Sequence, residues 1–248
     1  FVSKPIDRHE LIVVIANLRD DLGAYERCVL VFALDGAGTL VADYGPGPGP
    51  ACLAFEDDPF PLFEPSGGVV ADGDGVLISG LVNGTTSAAI IARLDADGHL
   101  DTSFGTDGYR RYGALPAFST PTYKGALVRN GDAFYVKSVV IGTNSARGAL
   151  RSSPAGVLDA TYGAAGFAGV LWPGGTTTNT LVDIAVDANG ALLALGYVYD
   201  QAIFPTVCNF CLSRFTPGGT IGPAFNAAGT LPGNPGNVLI EAIGNGDP

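Results

Sequence analysis

Several residue types are scarce in this sequence, and each scarcity excludes a class of protein. The 248 residues include no methionine, one tryptophan and two histidines, and only 15% are charged. Thirteen basic side chains stand against 24 acidic ones, and the net charge of −11 argues against nucleic acid or an anionic membrane surface as a partner. No run approaches about 18 apolar residues, so neither a transmembrane helix nor direct membrane insertion is expected.

Glycine and proline are abundant instead, with 36 and 17 residues. Both interrupt regular helices, which excludes long helical bundles and coiled coils. Apolar residues make up 47% of the chain, enough for a sizeable core, so the chain is expected to fold.

A pattern of about fourteen residues occurs four times, at intervals of about sixty residues. The glycines that the copies share are Gly38, Gly98, Gly156 and Gly219. Upstream of three copies, two β-like runs flank an Asx-Gly dipeptide, which is typical of a hairpin turn. These predicted turns are Asp74-Gly75, Asn130-Gly131 and Asn189-Gly190.

Each unit is predicted to be a four-stranded antiparallel meander, and the units span residues 1–60, 61–118, 119–176 and 177–232. Residues 233–248 form an extra or closing strand that resembles the start of a fifth unit. Because one such sheet cannot bury both of its faces, successive sheets must stack, and radial stacking gives a single all-β domain, a β-propeller with four-stranded blades. A β-sandwich is the main competitor, but sandwiches lack a repeated unit of this length.

The second copy, Arg93 to Gly108, resembles the delta-60 repeat, a family of bacterial repeats of about sixty residues with an arginine, a DG turn and the string L-D-x-x-F-G. The resemblance covers nearly the whole chain, although the fourth copy has Gly222 in place of the acidic residue. It implies a propeller-like architecture in an exported or surface-associated bacterial protein. The family brings no common catalytic residues.

The two histidines, His9 and His99, occupy turns of different units and have no neighbour at metal-ligand spacing. The motifs G-x-S-x-G, H-E-x-x-H and the P-loop are absent. No catalytic residue is therefore predicted, and solvated turn positions explain both histidines.

Asp95, Asp97 and Asp101 surround the turn at Gly98 and resemble part of a calcium loop, because alternating carboxylates let oxygen ligands converge on a cation. The terminal bidentate glutamate is lacking, and the other copies do not repeat the acidic set. The alternative is a β-turn in which the first Asp caps backbone N–H groups and Gly takes the left-handed conformation. Calcium is the one cofactor that the sequence suggests.

Four aromatic residues recur at one place in the pattern: Tyr44, Phe104, Tyr162 and Phe225. Equal placement favours a packing anchor between neighbouring sheets over exposed rings that stack on sugars. Trp172 lies outside the pattern and is the better candidate for a ligand or partner contact.

Four charged residues are predicted on the innermost strands, which would line a propeller channel: Lys124, Arg129, Asp183 and Glu241. They are candidates for ligand or partner contact. The alternative is that they are polar strand ends in solvent.

The four cysteines predict two disulfide bonds, Cys28–Cys52 and Cys208–Cys211. The first pair straddles a hairpin centre, which would place its members directly opposite each other. The second pair lies in a β-like stretch and needs a local turn or bulge, since residues three apart on a regular strand face opposite sides. Disulfides, few lysines and the missing methionine at position 1 indicate a chain that was processed and exported to the periplasm, cell surface or medium.

The function expected from these features is a non-catalytic, exported scaffold or protein-interaction module within a larger envelope or extracellular assembly. Its partners would be other proteins or a second copy of the chain. A carbohydrate-binding propeller is the alternative, and a hydrolase or lyase with a channel site is the third reading.

Overall fold

The computed structural model describes residues 2–6, 9–17, 29–45, 51–53, 62–64, 69–83, 88–112, 120–131, 133–141, 146–170, 179–200, 207–225 and 237–241. These residues form β-strands joined by turns, and this part of the chain contains no helix that could cross a membrane. The prediction of an all-β chain with antiparallel sheets is confirmed.

The strands form four antiparallel sheets, each made from one continuous stretch of sequence. Sheet 1 has the order β1 (Val2–Ile6), β2 (His9–Asn17), β3 (Val29–Leu34), β4 (Ala51–Leu53). Sheet 2 has the order β5 (Leu62–Glu64), β7 (Gly75–Asn83), β8 (Ala88–Leu94), β9 (Tyr109–Tyr112), and β6 (Val69–Asp72) also pairs with β7. Sheet 3 has the order β10 (Thr120–Asn130), β11 (Ala133–Ile141), β12 (Ala146–Ser152), β13 (Phe167–Val170). Sheet 4 has the order β14 (Asn179–Val186), β15 (Leu192–Asp200), β16 (Val207–Arg214), β17 (Asn237–Glu241).

The last strand corrects the predicted end of the fourth unit. Residues 237–241 pair with β16 as the fourth strand of sheet 4, so they are not the start of a fifth unit. Sheet 4 therefore extends past the boundary expected at residue 232. The pattern suggested a first strand because an apolar run before Asn-Gly also opens the other units, and sequence does not state which strand such a run pairs with.

The hairpin turns are shifted from their predicted positions. Asp72 pairs with Gly75, so Gly73, with φ +60°, opens a turn that ends at Asp74. Asn130 pairs with Ala133, which places Gly131, with φ +55°, first in the next turn. The predicted pairs Asp74-Gly75 and Asn130-Gly131 are thus one residue out of position, because the glycine with positive φ is the first turn residue.

The third predicted turn, Asn189-Gly190, lies in a longer connection. Val186 pairs with Leu192, so five residues join β14 to β15 instead of two. Gly190 has the positive φ of +80° that the sequence predicts for a turn glycine.

The hydrophobic core lies between sheets rather than within any one of them. One buried cluster joins Ala33 and Tyr44, from the first stretch, to residues of sheet 2. A second cluster joins sheets 2 and 3, and a third joins sheets 3 and 4. The sheets therefore stack in chain order, and contacts also link β1 to β6, β6 to β10 and β10 to β14.

Candidate functional site

A five-residue turn follows the third strand of every sheet, and we call it the cap turn. In each, the first residue's N–H donates to the carbonyl oxygen of the fifth, and the fourth, a glycine, donates back to the first. The first residue's side-chain oxygen accepts one or two backbone N–H groups inside the turn. The four cap turns begin at Asp35, Asp95, Ser153 and Thr216. Residues Asp, Ser and Thr occupy this position because their short oxygen-bearing side chains reach these N–H groups.

A second turn follows each cap turn and ends in the recurring aromatic residue, which we call the anchor. The N–H of Phe104 donates to the carbonyl oxygen of Asp101 at 2.8 Å, and Tyr162 does the same to Asp159 at 3.0 Å. Tyr44 and Phe225 make the equivalent bonds to Val41 and Gly222. The bond needs only backbone atoms, which explains why the fourth copy tolerates glycine in place of the acid.

Each anchor up to the third packs into the core shared with the next sheet. Tyr44, Phe104 and Tyr162 are at most 3% exposed. The glycine of the following cap turn lies against the anchor ring, since a Cβ on Gly98 would lie 2.6 Å from Tyr44 and a Cβ on Gly156 would lie 2.6 Å from Phe104. The preference for a packing anchor is confirmed at these three positions.

Hydrogen bonds join neighbouring units at the same place. The N–H of Gly45 donates to the carbonyl oxygen of Asp97 at 2.7 Å, and the N–H of Gly163 donates to the carbonyl oxygen of Gly218 at 2.8 Å. Between sheets 2 and 3, the hydroxyl of Tyr112 donates to the Gly156 carbonyl oxygen at 2.6 Å. Anchor, glycine and hydrogen bond together set how one unit sits on the next.

An open cleft of about 500 Å³ lies along the third cap turn, lined by Asn130, Arg151 and Asp159 among others. Two of its polar side chains, Asn130 and Arg151, donate hydrogen bonds to carbonyl oxygens of unit 4. Arg151 pairs with Asp159 at 2.8 Å, donates to the carbonyl oxygen of Pro217 at 2.7 Å and lies 4.5 Å from the ring centre of Tyr162. The Thr161 hydroxyl and Arg151 lower the pKa of the Asp159 carboxyl.

Two of the three carboxylates proposed for calcium, those of Asp95 and Asp101, hold other groups. Asp95 Oδ1 accepts the N–H groups of Asp97 and His99, as the β-turn alternative predicts. Asp101 accepts from Ser103 and lies 3.4 Å from Arg93. Within the described ranges no three His, Cys, Asp or Glu side chains are arranged to hold a metal ion, so the structure does not bring this set together as a site.

The predicted channel residues do not all share an edge. Lys124 and Arg129 lie on β10 and Asp183 on β14, the first strands of sheets 3 and 4, which contact each other. Glu241 lies on β17 at the opposite edge of sheet 4 from Asp183, so the structure does not bring it together with the other three. Trp172 lies outside the described residues, and its role stays a prediction.

The register around the cysteines differs from the expected hairpin. Cys52 pairs with Leu30, so the predicted direct opposition to Cys28 is wrong by two residues; Cys28 itself lies outside the described residues. The β15–β16 ladder runs in one register through Cys208 and Cys211, without the bulge that their bridge needs. Cys211 is buried against sheet 3, and both disulfide bonds stay predictions.

One surface that sequence reasoning missed is the face of sheet 4 that points away from sheet 3. Leu195 is 36% and Phe210 44% exposed there, while Leu193 and Leu212 are partly buried. The available signal was the apolar character of both alternating sets in β15, which predicts a strand covered on both faces.

Comparison with known proteins does not assign the chain to a family. No protein-family model matches it, and no curated protein matches it. Among solved structures, the chain is similar to an endo-1,4-beta-xylanase from Bacteroides thetaiotaomicron VPI-5482, with 10% identity over 86% of this chain and 76% of that chain. The TM-score is 0.36, so this likeness carries no argument about fold or activity.

Proposed function

We propose that the chain is a non-catalytic, exported interaction module of the β-propeller type, and that the outer face of sheet 4 is its binding surface. The observation that carries the proposal is the pair Leu195 and Phe210, large apolar side chains exposed on a sheet whose other face is buried. Contiguous exposed apolar surface on a folded protein marks an interaction site.

The equivalent positions in the preceding sheets support this reading. The residue opposite the pattern's arginine is Leu77 in sheet 2 and Tyr135 in sheet 3, at most 2% exposed because the next sheet covers them. In sheet 4 the residue opposite Arg214 is Leu193, which stays partly exposed to solvent. The outer face of sheet 4 thus carries a large apolar side chain at a position that the next sheet covers in sheets 2 and 3.

Stacking in chain order supports a propeller. Three successive docking steps use the same anchor position, and contacts link β1 to β6, β6 to β10 and β10 to β14. Repetition of one docking geometry turns the sheets about a common axis.

The test is site-specific photo-crosslinking of the full chain in the cells that produce it. A crosslinking residue at position 210 is compared with one at position 189, which lies in an exposed turn. A discrete protein adduct from position 210 that is missing from position 189 supports the proposal. Equal or no adducts from the two positions contradict it, and recovery of the chain from the cytoplasm contradicts export.

A further inference from the structure

The docking between units has a direction. The earlier unit supplies its anchor, and the later unit supplies the cap-turn glycine together with the Leu or Ile two residues beyond it. Leu100, Leu158 and Ile221 each pack on the cluster shared with the preceding sheet. We call the first surface the anchor face and the second the cap face.

No described residue covers the anchor face of unit 4. Phe225 is partly exposed, whereas the other three anchors are at most 3% exposed. Leu212 lies two residues before the pattern's arginine and is partly exposed, whereas the equivalent Ile91 and Ala149 are fully buried.

The cap face of unit 1, which is complementary, is likewise exposed. A Cβ built on Gly38 meets no described atom within 4 Å, although the equivalent Gly98, Gly156 and Gly219 lie against anchors. Leu40 is 41% exposed, whereas its counterparts in the other units are partly buried. Phe32 and Leu34 are partly exposed, whereas their equivalents Ala92 and Leu94 in sheet 2 are fully buried.

We infer that the anchor face of unit 4 binds the cap face of unit 1 in a second copy of this chain, an inference that rests on the proposed function. Among the described residues the two faces do not meet, since a Cβ on Gly38 has no neighbour there within 4 Å. The anchor face of unit 4 and the cap face of unit 1 carry the same kinds of residues that meet at the three interfaces within the chain. Because the two faces differ, the contact is head-to-tail, and two such contacts related by a two-fold axis close a ring of eight sheets. Eight is within the range of about 4–8 blades that propellers close.

The experiment is light scattering and sedimentation of the purified full chain over a range of concentrations. We expect a species of twice the chain mass of 25.2 kDa. Leu40→Asp blocks the cap face. Phe210→Asp blocks the anchor face of unit 4, because Phe210 lies on the same face of β16 as Leu212. Each variant alone is expected to be monomeric, with affinity lowered on the order of 100-fold, because a carboxylate would be buried without a partner.

An equimolar mixture of the two variants is expected to form a heterodimer, since one intact anchor face and one intact cap face remain. Heterodimer formation also shows that both variants are folded. The matched control is Val157→Asp, which changes an apolar residue that is 52% exposed on neither end face and should dimerise normally.

Three results overturn the inference: a natural chain that is monomeric throughout, variants that fail to complement each other while both retain native circular dichroism, or a control that dissociates as they do. A monomer whose position 210 crosslinks to a different protein overturns self-association and leaves the interaction module standing. A monomer without specific crosslinks overturns both.

Discussion

Single glycines decide how closely two units approach. Gly98 has φ +82° and its Cα faces the ring of Tyr44, so a side chain there meets two obstacles at once. Gly190 has φ +80° in a similar turn, but a Cβ there would lie 3.7 Å from Pro217, an ordinary contact. Substitutions at Gly98 and Gly190 can therefore be compared to separate the cost of backbone strain from the cost of a clash between units.

Gly98→Ala is expected to lower the free energy of unfolding by about 2–4 kcal/mol, the sum of left-handed strain and overpacking. Gly190→Ala should cost about 1–2 kcal/mol, from the strain alone. Urea denaturation of both variants measures the difference. Equal losses would show that the Tyr44 contact with Gly98 does not constrain the interface.

The Tyr44 hydroxyl is buried and has no hydrogen-bond partner among the described residues. Burial, with the charges of Asp95 and Asp97 nearby, raises the pKa of Tyr44 from 10.0 to about 12. Between pH 10 and about 12, Tyr44 is deprotonated in the unfolded chain but stays protonated in the folded chain. Stability is therefore full below pH 10 and falls as the pH rises towards 12.

Tyr44→Phe is expected to be neutral or stabilising by about 1 kcal/mol at pH 7, since it removes an unpaired buried hydroxyl and the second unit has Phe104 at the same position. It should also flatten the loss of stability between pH 10 and 12. Urea denaturation at pH 7 and 11 measures both effects. A variant that loses stability as steeply as the natural chain would contradict the assignment.

At the scale of elements, the cap turns depend on side-chain oxygens that hold backbone N–H groups. Asp95→Ala removes the acceptor for two such groups and is expected to cost about 1–2 kcal/mol in thermal or urea unfolding. Asp97→Ala is the control, because the hydrogen bond that joins Asp97 to the preceding unit, from the N–H of Gly45, uses the carbonyl oxygen of Asp97, which alanine retains. A larger loss at position 97, or a midpoint raised by calcium, would favour the metal loop over the turn.

The hairpin positions show where local reasoning stops. Sequence placed glycine in each turn, but the partner strand determined that Gly73 and Gly131 stand first in theirs. A shift of one residue exchanges the two faces of a strand, so the register is set by which apolar side chains the neighbouring sheets cover.

At the scale of the whole molecule, stability depends on stacking. The buried residues of sheet 3 belong to clusters shared with sheets 2 and 4. Residues 119–176 expressed alone are therefore expected to be unfolded, with random-coil circular dichroism and narrow amide dispersion. The fragment 61–176 restores one shared cluster and should gain strand signal. Cooperative unfolding of the shorter fragment would contradict a core that lies between sheets.

The sequence by itself determined the all-β class, the cap turns and the four-stranded sheets of units 1, 3 and 4, whereas sheet 2 has a fifth strand, β6. Glycine with positive φ and an Asp, Ser or Thr that caps nearby N–H groups act over a few residues, so their effect can be read from composition and spacing. The same spacing identified the anchors Tyr44, Phe104 and Tyr162 as core residues.

Only the tertiary structure decided which sheet each anchor enters, that β17 completes sheet 4, and that Glu241 and Asp183 lie on opposite edges. In the part of the chain that the structure describes, it also left the cap face of unit 1 and the outer face of sheet 4 without a covering sheet. These features depend on contacts between residues far apart in the chain. Because every unit has a similar pattern, the sequence does not distinguish the face that the next sheet covers from the face that remains open.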